Sequence, residues 1–243
     1  CALPISAVLL SCTVFCCADF IDKFEVCKRA DPDINNCLKS AMQKALVTLK
    51  NGLPEFNFPS MEPIKILVWD IEPSPPLHLT KRYENVEMYD HAATEIQDVN
   101  CKITDKDFLL EIKGYNPKIK FVSDYEFVDT LFANVDVSGL GKAFYEHEGY
   151  SAFITFNGKI EPKDNGNYIT ITDVQVSMNA THFLMNYKTD DAERDNVVNE
   201  FAHHNADTLF PLVKRDYEII YAEAYLELAN AIFSVIPVDK LFP

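Results

Sequence analysis

The longest part of this chain alternates between apolar and polar residues and contains no helical pattern. The alternation runs through residues 77–187, for example at 108–112 and 174–176. Turn signals interrupt it at 114–117, 138–141 and 163–167. Strands that are separated by turns and not by helices pair in antiparallel fashion. The sequence therefore predicts a long antiparallel sheet with one wet face and one face that must be covered.

The end of the chain supplies a helix that could cover this sheet. Between residues 192 and 233 apolar residues recur in steps of three and four, and few polar positions interrupt 219–226. We expect Pro211 to kink or divide the helix. Because more than one helix face is apolar, we predict an α+β fold in which a highly curved antiparallel β-sheet wraps around a long C-terminal helix.

The first residues have the features of a secretory signal. Residues 2–18 are apolar and uncharged, and they end with the small residues Cys16 and Ala18. A membrane anchor is the alternative, but about 17 residues with a proline are short for about 30 Å of hydrocarbon. We predict a signal peptide in residues 1–18, one domain in residues 19–243, secretion to the extracellular space and no stable membrane insertion.

Three cysteines follow the predicted signal. Cys27 and Cys37 flank a turn-rich segment with Asp31-Pro32-Asp33 and precede a short amphipathic helix in residues 37–50, so we predict a disulfide between them. Cys101 is then unpaired, and we interpret it as a small buried apolar residue. The triplet Asn179-Ala180-Thr181 predicts an N-glycan on Asn179.

Charge and motifs exclude several classes of function. The formal net charge is -15, which repels phosphate backbones, so no nucleic-acid partner is expected. Glu200 and His203 form one Glu-x-x-His step, whereas a di-metal bundle site needs two. The sequence contains no Gly-x-Ser-x-Gly elbow and no cysteine with an evident histidine partner. We therefore expect no enzymatic activity, no metal site and no cofactor.

Aromatic residues are the remaining candidates for function. The chain has 17 Phe and 11 Tyr, whose rings supply large apolar areas. Any one of them is most simply explained as core, but a sheet rolled around a helix leaves cavities that a long apolar ligand can occupy. Tyr145, Tyr221 and Tyr225 would offer hydroxyls inside such a cavity. The candidate ligand-binding residues are Trp69, Phe121, Tyr125, Phe127, Phe132, Phe144, Tyr145, Phe153, Phe156, Tyr221 and Tyr225.

Several short motifs resemble those of one protein family in their order along the chain. They are the early Cys27 and Cys37 around Asp31-Pro32, Gly52-Leu53-Pro54, Gly139-Leu140-Gly141 and the closing residues 237–243, PVDKLFP. The chain thus resembles the insect haemolymph juvenile hormone binding proteins and the related takeout-like proteins. The resemblance implies their super-roll, a long helix wrapped by a highly curved antiparallel sheet, as in lipid-binding proteins. It also implies transport without catalysis of a juvenile hormone, another terpenoid or a fatty acyl lipid.

We therefore expect a secreted carrier whose partner is a hydrophobic small molecule held in an internal apolar cavity. The alternative is a secreted interaction or signalling protein of the same fold without a bound ligand. The sequence identifies no receptor or protein partner.

Overall fold

The structure is a computed structural model that describes residues 20–71, 80–128, 131, 132 and 135–243. The predicted signal peptide, residues 1–18, lies outside the described residues, as do residues 77–79 at the start of the predicted strand region. The helices are α1 (Ile34–Leu49), α2 (Ala192–His204), α3 (Ala206–Phe233) and α4 (Val238–Leu241). The strands are β1 (Ile64–Ile71), β2 (Thr80–Tyr89), β3 (Glu95–Ile103), β4 (Asp107–Val128), β5 (Leu131–Phe132), β6 (Val135–Asp136), β7 (Gly139–Lys163), β8 (Gly166–Asn179) and β9 (His182–Lys188).

Two very long strands, β4 and β7, form the centre of the sheet. Seven strands pair in the order β1-β2-β4-β7-β8, with β3 also on β4 and β9 also on β7. At about 3.3 Å per residue, strands of this length would extend about 70–80 Å if straight. The right-handed twist of strands accumulates over such a length and curls the sheet into a half-barrel. The C-terminal helices cover its concave face, which confirms the predicted fold.

Each central strand changes its outer partner along its length, which divides the half-barrel in two. Strand β4 pairs with β3 over residues 108–115 and with β2 over 120–128. Strand β7 pairs with β9 over 142–148 and with β8 over 151–163. We call the two parts the β3–β8 half and the β2–β9 half. They meet at the level where both central strands change partner.

The turn predicted at residues 114–117 is wrong, because these residues lie inside β4. Pro117 cannot donate a ladder hydrogen bond, but it lies between the part of β4 paired with β3 and the part paired with β2. Gly149, with φ 58°, lies across from it between the pairs Asn116–Tyr150 and Lys118–Glu148. Both strands exchange their inward and outward faces here. On one side of this level the buried residues have even numbers, as at Asn116 and Tyr150, and on the other side they have odd numbers, as at Ile119 and His147.

The helical segment divides at Asn205 and not at Pro211. Asn205 ends α2 by donating from both its backbone N–H and its side chain to the carbonyl of Phe201, at 3.1 and 2.8 Å. Such a local bond competes with continuation of the helix. Pro211 instead lies within α3, near its start, where its missing N–H removes a single helical hydrogen bond. From Ala206 the helix runs 28 residues, about 42 Å.

Helix side chains complete the backbone hydrogen bonds of two strands. Asn230 of α3 accepts from the N–H of Ile171 and donates to its carbonyl, both at 2.9 Å. Asn199 of α2 makes the same pair of bonds to Tyr187, at 2.7 and 2.9 Å. These amides take the place of a further strand and cover otherwise unpaired edges. They also fix α2 and α3 against the concave face.

Helix α1 is fixed in a similar way along β3. Gln43 accepts from the N–H of Ile96 at 2.8 Å and donates to the carbonyl of Thr94 at 3.0 Å. The predicted disulfide between Cys27 and Cys37 is confirmed and joins the preceding segment to the first turn of α1. Closing this short loop stabilises the fold by about 3 kcal/mol in the loop-entropy model. The helix is therefore held firmly over the β3–β8 half.

Candidate functional site

An apolar cavity of about 290 Å³ lies in the β3–β8 half. Its walls are α1, the C-terminal part of α3, and the inward faces of β3, β4 and β7. Residues 20–27, which precede α1 in the chain, also border it. This volume is close to the lower end of the range of about 300–1,000 Å³ that is typical of small-molecule sites. The cavity is therefore large enough for a small lipid.

Helix α1 contributes a complete apolar stripe to the cavity. Leu38, Met42, Ala45, Leu46 and Leu49 repeat in steps of three and four, and all of them line the space. Apart from Leu49 they are only partly buried, because they border the cavity as well as packing against the core. The sequence pattern thus places the helix correctly and leaves its apolar face available to a ligand.

Small side chains on the opposite walls keep the cavity open. Gly114 of β4, Ala152 of β7 and Ala229 of α3 all line it. Larger side chains at Ala152 or Ala229 would fill the space, whereas a Cβ at Gly114 would lie 3.1 Å from the side chain of Thr94, which also lines the cavity. The cavity is thus encoded by small residues as much as by aromatic ones.

No cationic side chain borders the cavity among the described residues. Glu25, the one acidic side chain among the described lining residues, is paired with Lys44 of α1 at 2.5 Å. Burial lowers the pKa of His91 to about 4, so its imidazole is neutral at physiological pH. Burial raises the pKa of the Cys101 thiol, which also lines the cavity, to about 12, so it remains protonated. Among the residues that the structure describes, the lining is therefore apolar and uncharged apart from Glu25, which pairs with Lys44.

A few polar groups lie at the inner end of the cavity, near the middle of the half-barrel. The Tyr225 hydroxyl is 3.2 Å from Nδ1 of His91. Burial raises the pKa of Tyr225 to about 12, so the hydroxyl stays neutral. Tyr150, which is buried, adds a third polar side chain on this wall. This end can hydrogen-bond without carrying charge.

Two of the candidate aromatic residues, Phe156 and Tyr225, line the cavity. Most of the others lie in the β2–β9 half, where their rings contact one another and neighbouring rings at centroid distances of 4.8–6.5 Å. We call this cluster the aromatic block. Its members are Trp69, Tyr83, Phe121, Tyr125, Phe127, Tyr145, His147, Phe183, Tyr187, Phe210 and Tyr217. Tyr221 lies between the block and the cavity wall, in ring contact with His147 and Tyr225.

The remaining candidates are placed elsewhere. Phe144 and Phe153 face outward from β7 and are 37% and 47% exposed. They lie on either side of Gly149, where β7 exchanges its faces, so even-numbered residues point outward before it and odd-numbered ones after it. Phe132 lies in β5, and its side chain is not among those that the structure describes.

The histidines at and beside the Glu-x-x-His step contact other groups of the protein. His203 lies 3.1 Å from the side chain of Asn186, and His204 lies 2.8 Å from the carbonyl of Glu200. Within the described ranges no group of three His, Cys, Asp or Glu side chains is arranged to hold a metal ion. In the same ranges, none of the helices combines the length and hydropathy that a membrane span requires.

A curled antiparallel sheet with C-terminal helices on its concave face and an apolar cavity beneath them has the architecture of a hydrophobic-ligand carrier. The sequence matches the family model of the haemolymph juvenile hormone binding protein (JHBP) over residues 5–243. The chain therefore belongs to the haemolymph juvenile hormone binding protein family, whose members are binding proteins.

The fold also matches a solved structure of this class. Takeout 1 of Epiphyas postvittana superimposes with a TM-score of 0.76 at 13% sequence identity, over 90% of this chain and 99% of that one. At this identity the likeness concerns the fold. No curated protein matches the sequence significantly.

Proposed function

We propose that the protein is a secreted, non-enzymatic carrier that holds one uncharged, oxygen-bearing lipid in the cavity. The observation that carries the proposal is the apolar lining, in which no described side chain is Lys or Arg. Transferring an apolar ligand from water to this lining is favourable by about 25 cal/mol per Å² of buried surface. The neutral hydroxyls and imidazole at the inner end are suited to an oxygen of the ligand.

The same lining favours a neutral ligand over a fatty acid anion. A carboxylate inside the cavity would lose its hydration without gaining a cationic partner, which costs several kcal/mol. A carboxylate placed near residues 20–27 instead would compete with Glu25 for Lys44, on a chain of net charge -15. Terpenoid alcohols, esters and epoxides avoid both costs. A juvenile hormone, the ligand in the family's description, falls in this class.

A competition experiment tests this assignment. A fluorescent apolar probe is displaced at pH 8 by a sesquiterpene alcohol or by the carboxylic acid of the same skeleton. We expect the alcohol to bind at least about tenfold more tightly, a difference of ~1.4 kcal/mol. Equal or tighter binding of the carboxylate at pH 8 would contradict a neutral ligand, and failure of both compounds and the probe to bind would contradict the carrier function.

Secretion is proposed from the apolar segment at residues 2–18, from the Cys27–Cys37 bridge and from the family's place in haemolymph. Asn179 is exposed at the end of β8, so it is accessible for an N-glycan. We expect the protein from a secretory host to begin near Asp19, to contain the disulfide and to lose mass on enzymatic deglycosylation. An intact mass that retains residues 1–18 would contradict the signal peptide. A mass that deglycosylation leaves unchanged would contradict the N-glycan.

A further inference from the structure

The inner end of the cavity lies where the two halves of the sheet meet. On β7, Tyr150 lines the cavity, whereas the next inward residue toward the β2–β9 half, His147, belongs to the aromatic block. On α3, Tyr225 lines the cavity, whereas Tyr217, two turns earlier, belongs to the block. On β4, Gly114 is the last lining residue before the change of partner. Three elements thus end the cavity at the same level.

Four side chains form a wall at this level, which we call the partition: His91, Tyr150, Tyr221 and Tyr225. Tyr225 and Tyr221 stack with centroids 6.2 Å apart, and His91 contacts both rings edge-on at 5.9 and 5.7 Å. Tyr150 closes the wall from the sheet side, 5.9 Å from the Tyr221 ring. The hydrogen bond between Tyr225 and His91 joins α3 to the connection between β2 and β3.

Tight packing continues directly behind the partition. Tyr221 is fully buried, and its hydroxyl lies 3.4 Å from Nδ1 of His147. The His147 ring in turn stacks on Phe183 at 4.9 Å and meets Tyr217 edge-on at 4.8 Å. A ligand chain that reaches the partition therefore meets packed rings and not a continuation of the cavity.

We propose that the partition determines the length of the ligand that this carrier accepts, with Tyr225 as the principal specificity-determining residue. The proposal rests on the proposed function and adds to it an upper limit of ligand size. Tyr225 is decisive because its ring borders the cavity directly and is only partly buried. Removing that ring extends the cavity toward Tyr221, whereas removing only its hydroxyl leaves the wall in place.

Linear primary alcohols of increasing chain length test the proposal in the full-length mature protein. For the unaltered protein, affinity should rise by about fourfold for each methylene that the cavity buries, the equivalent of ~0.8 kcal/mol, and should then stop rising at a limiting length. In Tyr225→Ala the limit should move to longer chains. The alcohol two carbons beyond the original limit should then bind at least about tenfold more tightly than it binds the unaltered protein.

Two further variants make the result decisive. Tyr225→Phe retains the ring and should keep the original limit, while Tyr225→Val should extend it less than Tyr225→Ala and serves if the alanine variant is unstable. If Tyr225→Ala or Tyr225→Val protein still binds the short alcohols but keeps the original limiting length, the proposed role of the partition is overturned. The same holds if Tyr225→Phe shifts the limiting length as much as Tyr225→Ala does. If the unaltered protein binds none of the alcohols, the carrier function itself is contradicted.

Discussion

Lowering the pH from 7 to 4.5 should reduce the free energy of unfolding by about 5 kcal/mol. Burial lowers the pKa of His91 to about 4 and that of His147 to about 3, and the charge of His91 disfavours protonation of His147 further. In the unfolded chain both histidines titrate near pH 6.5. The folded protein thus binds fewer protons below pH 6.5, so stability is complete above that pH and falls as the pH drops. Each histidine contributes ~1.4 kcal/mol per pH unit in this window.

Trp69 provides the measurement, because it is the sole tryptophan and is buried against Tyr83 at a centroid distance of 5.3 Å. Urea unfolding followed by its fluorescence at a series of pH values yields the slope. His147→Phe keeps a ring stacked on Phe183 and should remove about half of the acid loss. A free energy of unfolding that stays constant between pH 7 and 4.5, or an unchanged slope in His147→Phe, would contradict the assignment.

Filling the cavity from α1 should abolish ligand binding and leave the fold intact. In Ala45→Phe a ring projects from the middle of the lining stripe into the space that the ligand would occupy. We expect affinity for the sesquiterpene alcohol to fall by at least about a hundredfold, or ~2.7 kcal/mol. The free energy of unfolding should not decrease, because the added ring enters existing apolar space and displaces no side chain. Probe displacement and urea unfolding measure the two quantities.

The matched control lies on the same helix. Val47 is 69% exposed and points away from the cavity, so Val47→Phe adds a similar side chain without entering it. This variant should bind like the unaltered protein. Undiminished binding by Ala45→Phe, or an equal loss in both variants, would show that the ligand lies elsewhere.

The fold could be predicted because its main determinants are local. Alternation along the future β4 and β7, the turn at residues 163–167 and the apolar steps of α3 each specify an element and its buried face. Two boundaries could not be predicted, because they depend on tertiary context. Pro117 is normally a turn signal, but here it lies inside β4 where the strand changes partner. Pro211 is tolerated within α3, while Asn205 ends α2 through its side-chain bond to Phe201.

The site was harder to predict than the fold. Large aromatic side chains are above all residues that fill space, and five of the eleven candidates belong to the aromatic block. The cavity instead exists where facing side chains are small, as at Gly114, Ala152 and Ala229. The apolar stripe of α1 was visible in the sequence, but amphipathicity alone does not distinguish a face against core from a face against a cavity. The outward placement of Phe144 and Phe153 follows from the exchange of faces at Gly149, which alternation cannot reveal.

The most direct test of the carrier is to identify what the protein holds after secretion. Organic extracts of the purified mature protein and of Ala45→Phe from the same secretory host are compared by mass spectrometry. We expect a neutral, oxygen-bearing lipid near one equivalent per chain in the unaltered protein and little of it in the variant. The carrier function would be contradicted by an extract without lipid from protein that also fails to take up added sesquiterpene alcohol. Equal amounts of lipid in both proteins would contradict it as well.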